Sequence, residues 1–150
     1  MRDQINDDLK TAIKAKDKLR VGTLRLINAA IKDRDIAARS SGKDSVTDDE
    51  ILEILAKMVK QRVESAATYE AAGRDELATQ EREEIEIIKG FLPEQMDEAA
   101  VAEAVKAVVA EIEATSLKDM GRTMGALKER YAGKMDFGQA NKVVKELLGA

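Results

Sequence analysis

The sequence predicts an all-α protein, with an N-terminal four-helix part that contains a long helical hairpin and a small C-terminal three-helix domain. The 150 residues are rich in Ala, Leu, Glu, Lys and Met, which lose little conformational entropy in a helix. Apolar residues recur at spacings of three and four along almost every segment, and no stretch alternates as a half-buried strand would. The length suffices for one to two domains with a hydrophobic core.

The first two helices are predicted over residues 2–15 and 17–39. The apolar stripe of the first comprises Ile5, Leu9, Ala12 and Ile13, and that of the second comprises Leu24, Ile27 and Ile31. Small residues at Ser40-Ser41-Gly42 then interrupt the helical pattern. The second helix is therefore expected to end there and to form a long hairpin with the third.

The third helix is predicted to begin at a capping box, in which Thr47 is followed by Glu50. Its apolar stripe comprises Leu52, Leu55, Val59, Val63 and Ala66, with Ile51, Ile54 and Met58 widening the face. A face this wide predicts contact with more than one neighbour. Gly73 is a suitable C-terminal stop for this helix.

A fourth helix is predicted over residues 74–89 and ends at Gly90-Phe91-Leu92-Pro93, where Gly stops the helix and Pro prevents its continuation. This break predicts a domain boundary between residues 1–92 and 93–150. Within the fourth helix, the acidic cluster is expected to be a solvated face, because adjacent helical residues point in different directions. Its members are Glu81, Glu83, Glu84 and Glu86.

Three short helices are predicted beyond the break. Asp97 caps the fifth, a capping box of Ser116 and Asp119 opens the sixth, and Asp136 caps the seventh. Gly133 closes the sixth helix. Three residues of this region, Leu117, Tyr131 and Phe137, are expected on the apolar, inward stripes.

The residue types that are missing exclude several kinds of chemistry. The sequence has no Cys, His or Trp. Thiol nucleophiles, disulfides, histidine-ligated zinc and a Ser-His-Asp triad are therefore excluded. No phosphate-binding or dinucleotide-binding Gly motif is present. The residues thus predict no catalytic site, no metal site and no cofactor.

The N-terminal residues Met1-Arg2-Asp3-Gln4-Ile5 mix charged and apolar side chains, unlike a signal peptide. No stretch approaches the roughly 20 apolar residues of a membrane span. A soluble cytoplasmic protein without a membrane partner is expected.

Charge is distributed unevenly along the chain, whose formal net charge is -4. Residues 70–115 have a net charge of -9, whereas residues 116–150 carry a net charge of +3. A basic C-terminal part is able to bind a polyanion. Composition alone favours the alternative, in which the clustered charges are an ordinary solvated surface that binds no polyanion.

Two glycines, Gly121 and Gly125, lie four residues apart on one face of the sixth helix. Each interior Gly costs about 1 kcal/mol relative to Ala. A closely packed neighbouring helix, or a nucleic-acid backbone or partner helix approaching the bare backbone, would compensate for this cost. The spacing alone favours the neighbouring helix.

Seven basic residues accompany these glycines and are able to neutralise phosphates. They are Lys118, Arg122, Lys128, Arg130, Lys134, Lys142 and Lys145. No exposed aromatic residues are expected among them, which argues against base stacking of the single-strand kind. Recognition of backbone shape is therefore the expected mode.

Six segments, in the same order, resemble the GatB/YqeY family, specifically its free-standing YqeY-like members. They are Ala15-Lys16-Asp17-Lys18-Leu19-Arg20, Gln61-Arg62, Ala72-Gly73-Arg74, Phe91-Leu92-Pro93-Glu94-Gln95, Ser116-Leu117-Lys118-Asp119-Met120-Gly121 and Gly133-Lys134-Met135-Asp136. The resemblance spans nearly the whole chain and implies four N-terminal and three C-terminal helices.

The family shares this region with the tail of the B subunit of glutamine-dependent tRNA amidotransferase, a carbon–nitrogen ligase with glutamine as amido donor. That tail is implicated in holding tRNA, while the chemistry resides in a separate catalytic domain that this sequence does not show. The resemblance therefore implies tRNA as a partner, with an amidotransferase or an aminoacyl-tRNA synthetase as a further candidate. The residues it implies for tRNA contact are Lys118, Gly121, Arg122, Lys134 and Lys142.

Two hypotheses follow. The first is a tRNA-binding accessory module without its own catalytic site, in which Gly125, Lys128, Arg130 and Lys145 complete the contact set. The alternative is a helical protein-interaction or dimerisation module that uses the wide apolar face of residues 51–66. Independent catalysis is the least supported function.

Overall fold

The computed structural model describes residues 1–149, and the regular secondary structure of these residues is helical throughout. The elements are α1 (Arg2–Lys14), α2 (Lys18–Ser40), α3 (Asp48–Ala71), α4 (Asp75–Lys89), α5 (Glu98–Glu111), a short 3-10 turn (Leu117–Asp119), α6 (Met120–Tyr131) and α7 (Phe137–Gly149). The predicted all-α class is confirmed.

The chain divides into two compact units, Met1–Pro93 and the residues from Glu94 onward. The first unit contains α1 to α4, and the second contains α5 to α7. Each unit has a separate cluster of buried apolar residues.

The core of the first unit is built from the facing stripes of its helices. Its fully buried large side chains are Ile5, Leu24, Ile27, Ile51, Leu55 and Ile88. The most extensive pairing is between α3 and α4, so these two helices form the long hairpin, and the predicted hairpin of α2 with α3 is wrong. Helix α2 contacts α1, α4 and, least of these, α3. Phe91 and Leu92 also pack against this core.

An ion-pair network joins the start of α1 to the C-terminal half of α2. The Arg2 guanidinium donates two hydrogen bonds to Asp35, with Nη1–Oδ2 2.8 Å and Nη2–Oδ1 2.6 Å. The backbone N–H of Val46 donates to the same carboxylate at 2.9 Å. Hydrogen bonds from Arg2, followed by that from Val46, lower the pKa of Asp35 from 3.8 to about 2. One carboxylate therefore links α1, α2 and the loop before α3.

The Asp35 network predicts a specific acid sensitivity. The lowered pKa means that ionised Asp35 stabilises the fold fully above about pH 4, and that this contribution is lost as the pH falls towards 2. The Asp35→Asn variant should therefore have a lower thermal midpoint than the parent protein near neutral pH. The difference should shrink near pH 2, which circular dichroism would measure. A difference that is equal at both pH values would contradict this role of Asp35.

The second unit packs α5, α6 and α7 around Val101, Val105, Val108, Leu127 and Val144. Tyr131 and Phe137 pack against this core, which confirms that their rings lie on the inward stripes.

The turn between α6 and α7 is joined to the first residues of the second unit by two hydrogen bonds. Gln95 Nε2 donates to the Gly133 carbonyl at 2.6 Å, and the Met96 N–H donates to the Lys134 carbonyl at 2.8 Å. These bonds fix the turn that carries Lys134.

The helix ends follow the local signals of the sequence. Thr47 and Glu50 form the predicted capping box, and the Asp97 carboxylate accepts a hydrogen bond from the Ala100 N–H at 2.7 Å. Gly73 has φ +74°, and the Arg74 N–H reaches back to the Tyr69 carbonyl at 2.8 Å. This left-handed ending is the Schellman motif, which Gly adopts without strain.

Among the residues that the sequence pattern placed on inward stripes, Ile13 (47%), Val63 (52%) and Leu117 (51%) are exposed. Ile13 lies one residue before the end of α1. Val63 lies to one side of the buried face of α3, because that face is centred on Ile51, Leu55 and Met58 and not on the predicted stripe. Leu117 lies in the 3-10 turn, where the spacing of an α-helix does not apply.

The acidic cluster on α4 is only partly a solvated face. Glu84 is 12% exposed and accepts a hydrogen bond from Arg62 Nε of α3 at 2.9 Å. Burial and the neighbouring Glu84 raise the pKa of Glu81. The prediction failed here because α3 and α4 pack so that two of the four glutamates lie at their interface.

Candidate functional site

The outer face of α6 carries the two glycines that the sequence singled out. Thr123 and Leu127 are fully buried in the second unit, and at 3.6 residues per turn Gly121 and Gly125 lie on the opposite side of the helix. Both glycines are exposed. The glycine pair therefore faces solvent.

A Cβ atom added at Gly121 or at Gly125 would meet no neighbouring heavy atom within 4 Å. The favoured explanation, a neighbouring helix packed on this face, is therefore wrong. The spacing of the two glycines could not distinguish the two explanations, because it is the same whether the helix backbone is covered by a neighbour or open to solvent. The helical backbone at this face is accessible to a ligand.

Basic side chains border the open backbone. Lys118 and Lys128 are exposed near opposite ends of α6. Arg122 Nη2 lies 3.1 Å from Asp119 Oδ1, yet its side chain remains 56% exposed. Such an exposed pair is weak and can exchange its carboxylate for a phosphate. The outer face of α6 is therefore unobstructed, and its three cations outnumber its two carboxylates, Asp119 and Glu129.

Arg130 is oriented differently from the other cations of α6. Its Nη1 and Nη2 atoms lie 2.6 and 2.8 Å from the two carboxylate oxygens of Glu111 on α5. Hydrogen bonds from Arg130 and its positive charge lower the pKa of Glu111. The charge of Arg130 is thus compensated within the unit.

Two lysines of α7 meet the 3-10 turn at the start of α6. Lys142 and Lys145 line a shallow groove together with Leu117 and Gly149, and the residue after Leu117 is Lys118. The structure thereby brings the lysines of α7 to the end of α6 where Lys118 lies. Lys134 is exposed in the separate turn that joins α6 to α7.

Five of the predicted cations form no ion pair within residues 1–149. They are Lys118, Lys128, Lys134, Lys142 and Lys145. We call the surface formed by Lys118, Gly121, Arg122, Gly125, Lys128, Lys142 and Lys145 the basic surface. Its uncompensated charge favours an anionic ligand.

Neither a metal site nor a membrane span is found in the described part of the chain. No group of three or more His, Cys, Asp or Glu residues is arranged there to hold a metal ion. Similarly, no helix formed by residues 1–149 combines the length and the hydropathy needed to cross a bilayer.

The wide apolar face of residues 51–66, on which the protein-interaction hypothesis depends, is largely used within the first unit. Ile51, Ile54, Leu55, Met58 and Ala66 are buried there. Val63 remains 52% exposed at the edge of the face. This face therefore offers little free apolar area to a partner.

A family model described as YqeY-like protein matches residues 2–148. The chain belongs to the YqeY-like family. This match confirms the resemblance seen in the sequence segments, and it spans nearly all of the residues described above.

Curated relatives of this YqeY-like chain include proteins named altered inheritance of mitochondria protein 41, mitochondrial. The relative from Clavispora lusitaniae is 34% identical over 146 residues, which cover 94% of this chain and 81% of the relative. The relative from Pyrenophora tritici-repentis is 27% identical over 150 residues, with 98% and 80% covered. The relative from Kluyveromyces lactis is 34% identical over 137 residues, with 89% and 68% covered.

These names contradict the expected cytoplasmic location, because each of these relatives is named as a mitochondrial protein. The expectation rested on composition and on the lack of a long apolar run. Neither property distinguishes one aqueous compartment from another, and the prediction was wrong for that reason.

Proposed function

We propose that this YqeY-like protein is a tRNA-binding accessory module whose basic surface contacts the phosphate backbone of folded RNA. The observation that carries the proposal is an open helical backbone at Gly121 and Gly125, bordered by exposed cations. Phosphates supply the negative charge that these cations lack within the protein. The bare glycines allow a sugar–phosphate chain to approach the axis of α6 closely.

The resemblance to the tail of the amidotransferase B subunit supports tRNA as the RNA. In this proposal the second unit holds the tRNA, and the first unit is the spacer or docking arm. An amidotransferase would supply the amide-forming chemistry, and an aminoacyl-tRNA synthetase would supply the aminoacylated tRNA. Purification of the protein from its own cells, without crosslinking, would identify such a partner.

A salt titration with tRNA tests the proposal. The logarithm of the tRNA affinity, measured by filter binding, should fall steeply and linearly with the logarithm of the salt concentration, because each neutralised phosphate releases counterions. A slope equivalent to about four or more phosphates is expected from the number of free cations on the basic surface. Affinity for tRNA no greater than that for heparin, an unstructured polyanion, would overturn the proposal.

The glycine pair yields a prediction in which stability and binding change in opposite directions. Gly121→Ala and Gly125→Ala should each stabilise the second unit by up to about 1 kcal/mol, because Ala is the better helix former and its methyl group has open space. Both variants should bind tRNA more weakly, since the methyl groups hold the RNA away from the backbone. Urea unfolding and filter binding measure the two effects.

Gly22 provides a matched control for the glycine variants. It lies inside α2, it is exposed, and a Cβ added there would also meet nothing within 4 Å. Gly22→Ala should therefore raise stability by a similar amount and leave tRNA affinity unchanged. Unchanged tRNA affinity in all three variants would show that the α6 backbone does not contact RNA.

A further inference from the structure

A shallow groove lies where the C-terminal end of α7 meets the 3-10 turn before α6. It opens widely to solvent, has a volume of about 520 Å³, and is lined by Leu117, Lys142, Lys145, Glu146 and Gly149. Leu117 lies beside Gly149, where an added Cβ would be 3.7 Å from Leu117 Cδ2, and it remains 51% exposed. The groove therefore has an apolar wall that the sequence pattern placed inside the core.

The charged lining of the groove selects the class of ligand. Lys142 and Lys145 are exposed and form no ion pair within residues 1–149, while Glu146 adds one carboxylate beside them. The net charge of these three side chains is positive and suits a phosphate. The apolar wall at Leu117 suits a flat, poorly solvated group linked to that phosphate. An unpaired nucleotide has both parts, whereas a nucleotide in a duplex hides the face of its base.

We propose that this groove binds an unpaired nucleotide of the RNA that the basic surface holds, an inference that rests on the proposed function. The phosphates lie against Lys142 and Lys145, and the base lies on Leu117. Glu146, which as a carboxylate only accepts hydrogen bonds, takes one from an exocyclic amino group of the base. Cytosine is therefore favoured over uracil, because cytosine N4 donates a hydrogen bond where uracil O4 can only accept one.

Three RNA probes test this inference: a blunt duplex of about 16 base pairs, and the same duplex with a single-stranded overhang of cytidines or of uridines. Fluorescence anisotropy should show that the full-length protein binds the cytidine overhang most tightly. We expect a preference of about fivefold or more over the uridine overhang. The blunt duplex should bind most weakly.

Two variants separate the roles of the groove residues. Leu117→Ser should remove the advantage of both overhangs and leave the affinity for the blunt duplex unchanged. Glu146→Gln should remove the preference for cytidine. Leu147→Ser is the matched control, because Leu147 is a 40% exposed leucine of α7 outside the groove, and this variant should change nothing. Circular dichroism verifies that each variant is folded.

The outcomes distinguish failure of the groove from failure of the basic surface. Equal affinity for all three probes, together with no effect of Leu117→Ser and Glu146→Gln, overturns the nucleotide subsite and leaves the tRNA proposal standing. Affinity for every probe no greater than that for heparin overturns both. The subsite is also overturned if Leu117→Ser weakens sedimentation with phosphatidylserine-containing vesicles but leaves RNA affinity unchanged, since the groove would then contact a lipid surface.

Discussion

Reversing two charges on the basic surface should weaken tRNA binding by about 100-fold or more at low salt. The double variant Lys118→Glu/Arg122→Glu replaces two attractive contacts by two repulsive ones at the N-terminal end of α6. The slope of log affinity against log salt concentration should become shallower by the equivalent of about two neutralised phosphates. Because both side chains are exposed, the helical content should be unchanged by circular dichroism.

The control is a second double variant that changes the net charge of the protein by the same amount, but on α1. Lys10 and Lys14 lie one turn apart on α1, are exposed, and form no ion pair in the described structure. Lys10→Glu/Lys14→Glu should therefore reduce affinity only slightly, through the long-range field of the protein. If both double variants lose affinity equally, total charge governs binding and the basic surface is not the contact site.

The second large effect concerns the ion pair between α3 and α4. Arg62 and Glu84 are only 14% and 12% exposed, with Nε–Oε2 2.9 Å, and Arg62 Nη1 also donates to the Met58 carbonyl at 3.3 Å. Arg62→Ala or Glu84→Ala should each lower the free energy of unfolding by about 2–3 kcal/mol, because the remaining charge is left shielded from water without its partner. Urea unfolding measures the loss.

Two further variants show whether burial causes this effect. The double variant Arg62→Met/Glu84→Leu should recover most of the lost stability, since apolar side chains need no charge partner. Arg82→Ala breaks the Arg82–Glu70 pair between the same helices, whose side chains are 53% and 60% exposed, and should cost less than about 1 kcal/mol. Equal losses for Arg62→Ala and Arg82→Ala would contradict the burial argument.

The sequence predicted those parts of the fold that depend on neighbouring residues. The capping box at Thr47, the Asp97 cap and the Gly73 ending all depend on a few consecutive residues, and all are present. Burial is set by distant packing and was less predictable. Ile13 and Val63 have the correct periodicity, yet no neighbouring helix covers them.

The candidate site shows the same limit. The residue types identified the glycines and the cations, but only the folded chain shows that Arg130 is paired with Glu111 and that Lys142 lies near the 3-10 turn. Leu117 and Glu146 were missed as site residues. The Ser116-to-Asp119 spacing was a usable signal, because a short turn before a helix exposes the residues within it.

The fold contains one tyrosine in each unit and, according to the sequence, no tryptophan. Tyr69 lies on α3, and Tyr131 packs against the core formed by α5, α6 and α7. Replacing either ring by phenylalanine leaves a single tyrosine, whose fluorescence is much stronger than that of phenylalanine, so the melting of each unit can be recorded separately in the unlabelled polypeptide.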